Sequence, residues 1–235
     1  MPIEIGAIGV SVGVELIKRT APSGIAVVRT WIGGQKVLIL GPARAGKTSF
    51  YDYLRYGVLE HEQETEKTVE TEKSATFSVR IGRDSALELK VRGSFDVPGQ
   101  LGPIEHALIA KKKKPNGIVV ILDSSSPASG GAERSSRAWL VEFCKHLDEH
   151  LRQTASFRNR LRALVFVANK VDKISEEKAA RIVSSYRATI QKHLAYSYST
   201  KVEAIPVLPC VLVQGSAGAA MADAVIVRLA KALKK

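Results

Sequence analysis

Short, largely apolar runs alternate along this chain with longer stretches in which apolar residues return every three or four positions. KVLIL (36–40), IVVILD (118–123) and the LVFVA of ALVFVANKVD have the composition of strands covered on both faces. Thr76–Ile81 and Leu87–Phe95 read as two strands joined by the turn Gly82-Arg83-Asp84-Ser85, and VLPCVLV as the last strand. Between these runs the period changes to that of a helix. Residues 47–57 read as one helix. A second, 134–152, carries Trp139, Leu140, Phe143, Leu147 and Leu151 on one face, and a third, 176–194, carries Ile182, Val183, Tyr186 and Ile190. A last helix covers 219–234. Buried strands alternating with amphipathic helices predict an α/β fold, a mostly parallel sheet with helices on both faces.

Residues 1–34 do not follow this pattern. Ile8, Val10, Val12, Val14 and Leu16 alternate as in a strand, while Gly6, Gly9 and Gly13 suit a close-packed helix or a flexible arm. The chain therefore divides into an N-terminal extension, 1–34, and one α/β domain, 35–235, a size that buries a full core without staples.

Composition narrows the setting. The two cysteines, Cys144 and Cys210, lie far apart in apolar surroundings, which suits buried thiols in a reducing cytoplasm rather than a disulfide framework or a zinc site. No apolar run approaches the roughly 20 residues that span a bilayer. The opening MPIEIGAIG is acidic where a signal peptide is basic, Pro2 excludes N-myristoylation, and AKALKK carries no prenylation box. The net charge is +12, partly clustered at Lys111–Lys114 and at Lys231, Lys234 and Lys235. Such clusters are ordinarily a solvated face. The alternatives are a peripheral contact with an anionic membrane, nucleic acid or an acidic protein. Scarce aromatics argue against a single-stranded nucleic acid, which wants stacking platforms.

Chemistry concentrates where strands end. KVLIL runs into GPARAGKT, the pattern G-x-x-x-x-G-K-[ST], whose candidate phosphate cradle is Gly41, Ala43, Arg44, Ala45, Gly46, Lys47, Thr48 and Ser49. Glycines let the backbone turn its N–H groups inward, and the following helix adds the positive end of its dipole. Lys47 would reach the β- and γ-phosphates and Thr48 would ligate Mg²⁺. FDVPGQ follows a strand: Asp96 would hold Mg²⁺, Gly99 would offer an N–H to the γ-phosphate, and Gln100 would orient the attacking water. NKVD follows LVFVA. The Asp172 carboxylate would accept two hydrogen bonds from guanine, which adenine cannot supply. Asn169 would face N7 and Lys170 would lay its stem over the base. In GSAG, Ser216 and Ala217 would offer N–H groups to guanine O6, or Ser216 would simply cap a helix.

In this order the four motifs over about residues 36–234 resemble the Ras-like small GTPases. DVPGQ and the long helix before LVFVANKVD are most similar to the Arf group and the β subunit of the signal-recognition-particle receptor. The resemblance implies a Rossmann-like, three-layer P-loop GTPase fold with a six-stranded, mostly parallel sheet and two switch segments. It implies GTP and Mg²⁺ binding and slow hydrolysis to GDP and phosphate, with Lys47 and Gln100 as the catalytic pair. Effector, exchange and activating proteins would be the partners. It also implies a threonine that closes over Mg²⁺ before the second strand. ETEKTVETEK offers Thr65, Thr68 and Thr71, of which Thr68, followed by Val, fits best. Ala43 stands where Ras proteins have glycine and Arf-like members a side chain. Arg44 is either a solvent-facing arginine, the preferred reading, or a finger acting in cis. The long interval before GSAG points to an insertion at HLAYSYSTKVEA, and residues 1–34 are similar in composition to the mobile arms of Arf-like proteins. Two rival functions are a GTP-binding scaffold without turnover and a membrane or nucleic-acid adaptor regulated by its nucleotide.

Overall fold

A computed structural model of the chain describes residues 32–56, 59, 72–73, 77–81, 87–96, 101–125, 131–194, 205–212 and 216–233. The strands are β1 (Ile32–Leu40), β2 (Glu72–Lys73), β3 (Phe77–Ile81), β4 (Leu87–Asp96), β5 (Gly117–Asp123), β6 (Ala163–Asn169) and β7 (Val207–Pro209). The helices are α1 (Lys47–Tyr56), α2 (Pro103–Lys113), α3 (Gly131–Gln153), α4 (Ala155–Arg160), α5 (Glu176–Leu194) and α6 (Ser216–Leu233), with a 3₁₀ turn at Val171–Lys173.

The purely apolar runs take the centre of the sheet. All residues of β5 and β6 are buried, as strands with helices on both sides require. The order β2-β4-β1-β5-β6-β7 places β1 between β4 and β5, with β4, β1, β5, β6 and β7 parallel. The described residues carry seven strands where six were expected, because β2 and β3 both pair antiparallel with the outer edge of β4, one after the other.

Side chains alternate across this sheet with the strand period. Leu38, Leu40, Val120, Leu122, Phe166 and Ala168 face one layer, made of α2, α3 and α5; Trp139, Phe143, Leu147, Tyr186 and Ile190 close it. Val37, Ile39, Val119, Ile121, Val165 and Val167 face the other, where α1 contributes Phe50 and Leu54 and α6 contributes Val225, Ile226 and Leu229. The result is the three-layer α/β architecture.

Three elements differ from the pattern's expectation. The strand β1 begins at Ile32, ahead of the apolar run, and is irregular between Ile32 and Val37. The last strand stops at Pro209, short of VLPCVLV, and the last helix starts earlier, at Ser216. The helix α2 had no apolar period to announce it: Ile104 and Leu108 are exposed, while the buried positions are His106, Ala107 and Ala110. Pro103 opens it and Lys114, in the left-handed region at φ 45°, closes it with its N–H on the Ala110 carbonyl. Cys144 and Cys210 are buried free thiols, as expected. Residues 1–31, the turn at 82–85 and most of HLAYSYSTKVEA lie outside the described residues.

Candidate nucleotide site

The parallel strands bring the motifs to one end of the sheet, where their carboxyl termini open. The strand β1 ends at Leu40 and the loop 41–46 delivers the chain into α1 at Lys47. Two glycines of the loop have no substitute. Gly41 has φ +143°, and a Cβ there would overlap the Ile121 carbonyl of β5. Gly46 has φ +96°, and its Cβ would overlap the Asn169 side-chain amide. The loop thus lies directly on β5 and β6. Arg44 also takes a positive φ, 59°, and its side chain is exposed beside the exposed Ala43, while Ala45 is buried. The solvent-facing reading of Arg44 fits this position.

Lys47 is buried to 7% exposure and folds back over the loop, its Nζ donating to the Pro42 carbonyl at 2.9 Å. Thr48 and Ser49 are half-buried in the first turn of α1. First-turn N–H groups have no acceptor inside a helix, so α1 presents its positive end to the loop.

The NKVD segment is anchored by its own first residue. Asn169, at 2% exposure, donates from Nδ2 to the Ala45 carbonyl at 2.8 Å and accepts the Leu212 N–H on Oδ1 at 2.9 Å. The side chain expected at N7 is therefore also the clamp that joins three segments: the phosphate loop, the end of β6 and the chain after β7. One N–H of its amide is left over for a ligand. Lys170 sits at φ 63° and its Nζ pairs with Asp123 Oδ2 at 2.7 Å. Asp123 in turn accepts Ser125 N–H at 2.9 Å and the Ser125 hydroxyl at 2.6 Å on Oδ1. The lysine's ammonium is thus tethered at β5, which fixes where its stem lies. Asp172 is exposed in the 3₁₀ turn and makes no hydrogen bond among the described residues. Ala217 is exposed and Ser216 stands beside it in the first turn of α6.

The second motif is only partly in view. Asp96 pairs in register with Ile39, so its backbone stands beside the end of β1, two positions before Gly41. Its side chain, and Thr68, Gly99 and Gln100 entirely, lie outside the described residues. The described residues hold no cluster of three His, Cys, Asp or Glu side chains suited to a metal. An all-oxygen set from Thr48 and Asp96 nonetheless has the hard-donor chemistry that suits Mg²⁺ rather than zinc.

Two residues of the site escaped the sequence reading. Asp123 ends IVVILD, and its place at a strand terminus opposite Asn169 in the β5–β6 register was the available signal. His106 had none: it is fully buried on α2, where its Nδ1 accepts the Gly41 N–H at 3.3 Å and its ring meets the Trp139 ring edge-on at 5.2 Å.

The conserved region of the Gtr1/RagA G proteins matches residues 36–208 of this chain. The chain belongs to the Gtr1/RagA G-protein family. That family stands within the small GTPases to which the four motifs pointed, and membership in it supports binding of GTP and GDP by this chain. Among solved structures, the Gtr1/RagA-like chain is similar to the bacterial selenocysteine-specific elongation factor EF-Sec, at 16% identity and TM-score 0.50, over 85% of this chain and 29% of that one. It thus spans less than a third of the elongation factor, and the likeness is one of fold. It is also similar to the signal recognition particle receptor SRb, seen in its GTP and SRX complex from Chaetomium thermophilum. Identity there is 14% and TM-score 0.47, over 80% of this chain and 95% of that one. No curated protein sequence matches it.

Proposed function

We propose that this G protein is a slow GTP-operated switch that binds GTP with Mg²⁺ and hydrolyses it to GDP and phosphate. The observation that carries the reading is the Asn169 clamp, which joins the phosphate loop at Ala45 to the NKVD segment and to Leu212. Phosphate recognition and base recognition are thereby set at a fixed mutual distance, as one nucleotide requires.

In this mechanism the loop backbone and Lys47 hold the phosphates, and the positive end of α1 adds to their field. Lys47, nine-tenths buried and already bent over the loop, is placed for charge stabilisation without reordering a long side chain. Thr48, Asp96 and Thr68 would hold Mg²⁺, which when bound neutralises charge on the β- and γ-phosphates. Gln100 would orient the water. Asp172 would select guanine, with Lys170 held by Asp123 across the base.

Calorimetry with GTP and ATP, followed by single-turnover phosphate release, tests both halves. Tight GTP binding with negligible ATP binding and a slow release of phosphate is the expected result. Equal affinities would overturn the base assignment. GTP binding without any release would leave the chain a scaffold.

A further inference from the structure

The end of the domain remote from the nucleotide site, where the parallel strands begin, is cationic, and Asn116 organises it. Its N–H donates to the Lys36 carbonyl at 2.8 Å and its Oδ1 accepts the Lys36 N–H at 2.9 Å. Its carbonyl accepts the N–H groups of Arg162 and Ala163 at 2.8 and 3.1 Å. The starts of β1, β5 and β6 are thus stitched together, and α2 ends on them: Lys36 Nζ donates to the Lys113 carbonyl at 3.1 Å. Lys114 Nζ reaches the Ser156 hydroxyl at 3.0 Å, which brings α4 with Arg158 and Arg160 alongside.

These charges crowd one another. The Lys36 ammonium is held below its ordinary pKa by partial burial, then by Arg160 and Lys113. Lys112, Arg158, Arg160 and Arg162 are exposed. Among the described residues no carboxylate forms an ion pair with Lys36, Lys112, Arg158 or Arg160. The acids at the end of α3 are engaged elsewhere: Asp148 pairs with Arg152 at 2.5 Å, and Glu149 accepts from Gln153 at 2.9 Å and faces His146 at 3.7 Å. Like charges gathered among the described side chains repel one another and weaken the fold, which makes sense where an external polyanion compensates them.

The kind of polyanion follows from what accompanies the charge. A strand of nucleic acid wants exposed aromatic rings, and the aromatic residue of α4, Phe157, is fully buried. The chain, however, enters the domain at this same pole: Ile32–Gln35 lead into Lys36, and the sequence before them is apolar, with IGAIGVSVGVELI and GIAVVRTWI. Cationic side chains and an apolar segment in the same chain are the two signals that together hold a protein on a bilayer, where either alone binds marginally. We propose that the pole formed by Lys36, Lys112, Lys114, Arg158, Arg160 and Arg162 docks on an anionic phospholipid membrane, with the nucleotide site turned away from it.

The test is co-sedimentation of the full chain with vesicles of phosphatidylcholine, with and without phosphatidylserine, at low and physiological salt. The comparison is the triple variant Lys112→Glu, Arg158→Glu, Arg160→Glu, which keeps residues 1–31 and every nucleotide-site residue. The parent is expected to bind only the phosphatidylserine vesicles and to release them as salt rises. The variant is expected to bind them at least about tenfold more weakly while keeping the parent's unfolding midpoint. Should the charge reversal disturb the fold, the triple glutamine variant and the parent's own salt and lipid dependence give the same reading. Equal binding by variant and parent would overturn the proposal, as would binding of the parent to neutral vesicles or to neither kind. Charge-dependent binding of an oligonucleotide, with none to vesicles, would make the occupant nucleic acid instead.

Discussion

His106 Nδ1 accepts the backbone N–H of Gly41, so α2, which follows the second motif, is tied to the first residue of the phosphate loop. That nitrogen therefore carries no proton. The bond is buried, and the ring is braced by Trp139, itself stacked on Phe143 at 4.9 Å. Any movement of α2 with nucleotide state has to break this bond or carry Gly41 with it.

His106→Ala should therefore act on both stability and the site. It leaves a buried N–H without its acceptor, a cost of roughly 1–3 kcal/mol, and opens a cavity against Trp139. His106→Asn keeps a short acceptor and should recover part of the loss. Denaturant unfolding of the two variants, with GTP titrations of each, makes the comparison. Unchanged stability in His106→Ala would show that the bond contributes nothing.

The contact between Gly46 and Asn169 makes a sharper case. Gly46→Ala places a Cβ on the Asn169 amide at φ +96°, where an L side chain is already strained. Asn169→Ala removes the bonds to Ala45 and Leu212 instead. Both variants are expected to lose most GTP affinity, Gly46→Ala by displacing the loop and Asn169→Ala by releasing it. Retention of parental affinity by either one would mean that the loop does not need β6 to hold its shape.

Base and phosphate contacts separate by substitution. Asp172→Asn should weaken GTP and favour xanthosine triphosphate, whose 2-oxo group wants a donor. Lys47→Ala should lose most affinity for any nucleotide, and Thr48→Asn should shift preference towards GDP or the empty protein. Fluorescent-nucleotide titrations read all three. GTP held as tightly by Lys47→Ala and Thr48→Asn as by the parent would show the phosphates to be bound elsewhere.

The fold was legible wherever burial alone decides the residue type. The runs 37–40 and 118–122 and the LVFVA within 163–169 are covered on both faces, and only apolar side chains survive there. The need for glycine at two positions of the loop 41–46 was legible because those positions answer to backbone geometry, as the overlaps at Gly41 and Gly46 show. The helix α2 was hidden because its core face is made of a histidine and two alanines while Ile104 and Leu108 point outward. Asp123 and His106 were hidden for a related reason: their roles are hydrogen bonds to residues distant in sequence, Lys170 and Gly41, which no local spacing records.

A buried pair between α1 and α6 gives the pH dependence. Tyr53 donates its hydroxyl to Asp223 Oδ1 at 2.8 Å, and burial pushes the Asp223 carboxyl up to about 6 against the opposing pull of that bond. The folded state therefore binds this proton more tightly than the unfolded chain does. The contribution to stability is fully present below the ordinary aspartate pKa and is lost as pH rises through about 6. Melting curves between acid and neutral pH should show this loss in the parent and a flatter profile in Asp223→Asn. Parallel profiles would remove Asp223 as the cause.

In the proposed function, the rate of hydrolysis would depend on residues that flank the described site. Phosphoryl transfer asks mainly for positioning and charge stabilisation. Lys47 meets the second need, since it is buried and bent over the loop before any ligand arrives. Gln100, four residues after the end of β4, is the residue proposed to orient water. Arg44, the arginine of the loop, is exposed to solvent. Unaided turnover should then fall on the order of 10⁻⁴ to 10⁻² per second, between GTPases that lack a cis arginine and those that carry one. Gln100→Leu should slow single-turnover phosphate release well below the parent while leaving GTP affinity nearly intact, because Gln100 acts on water and not on the bound nucleotide. Arg44→Ala should leave the rate unchanged, and a hundredfold fall would instead assign Arg44 the role of a finger in cis. Should Gln100→Leu hydrolyse GTP as fast as the parent, another side chain orients the water and the second motif only shapes the turn into α2.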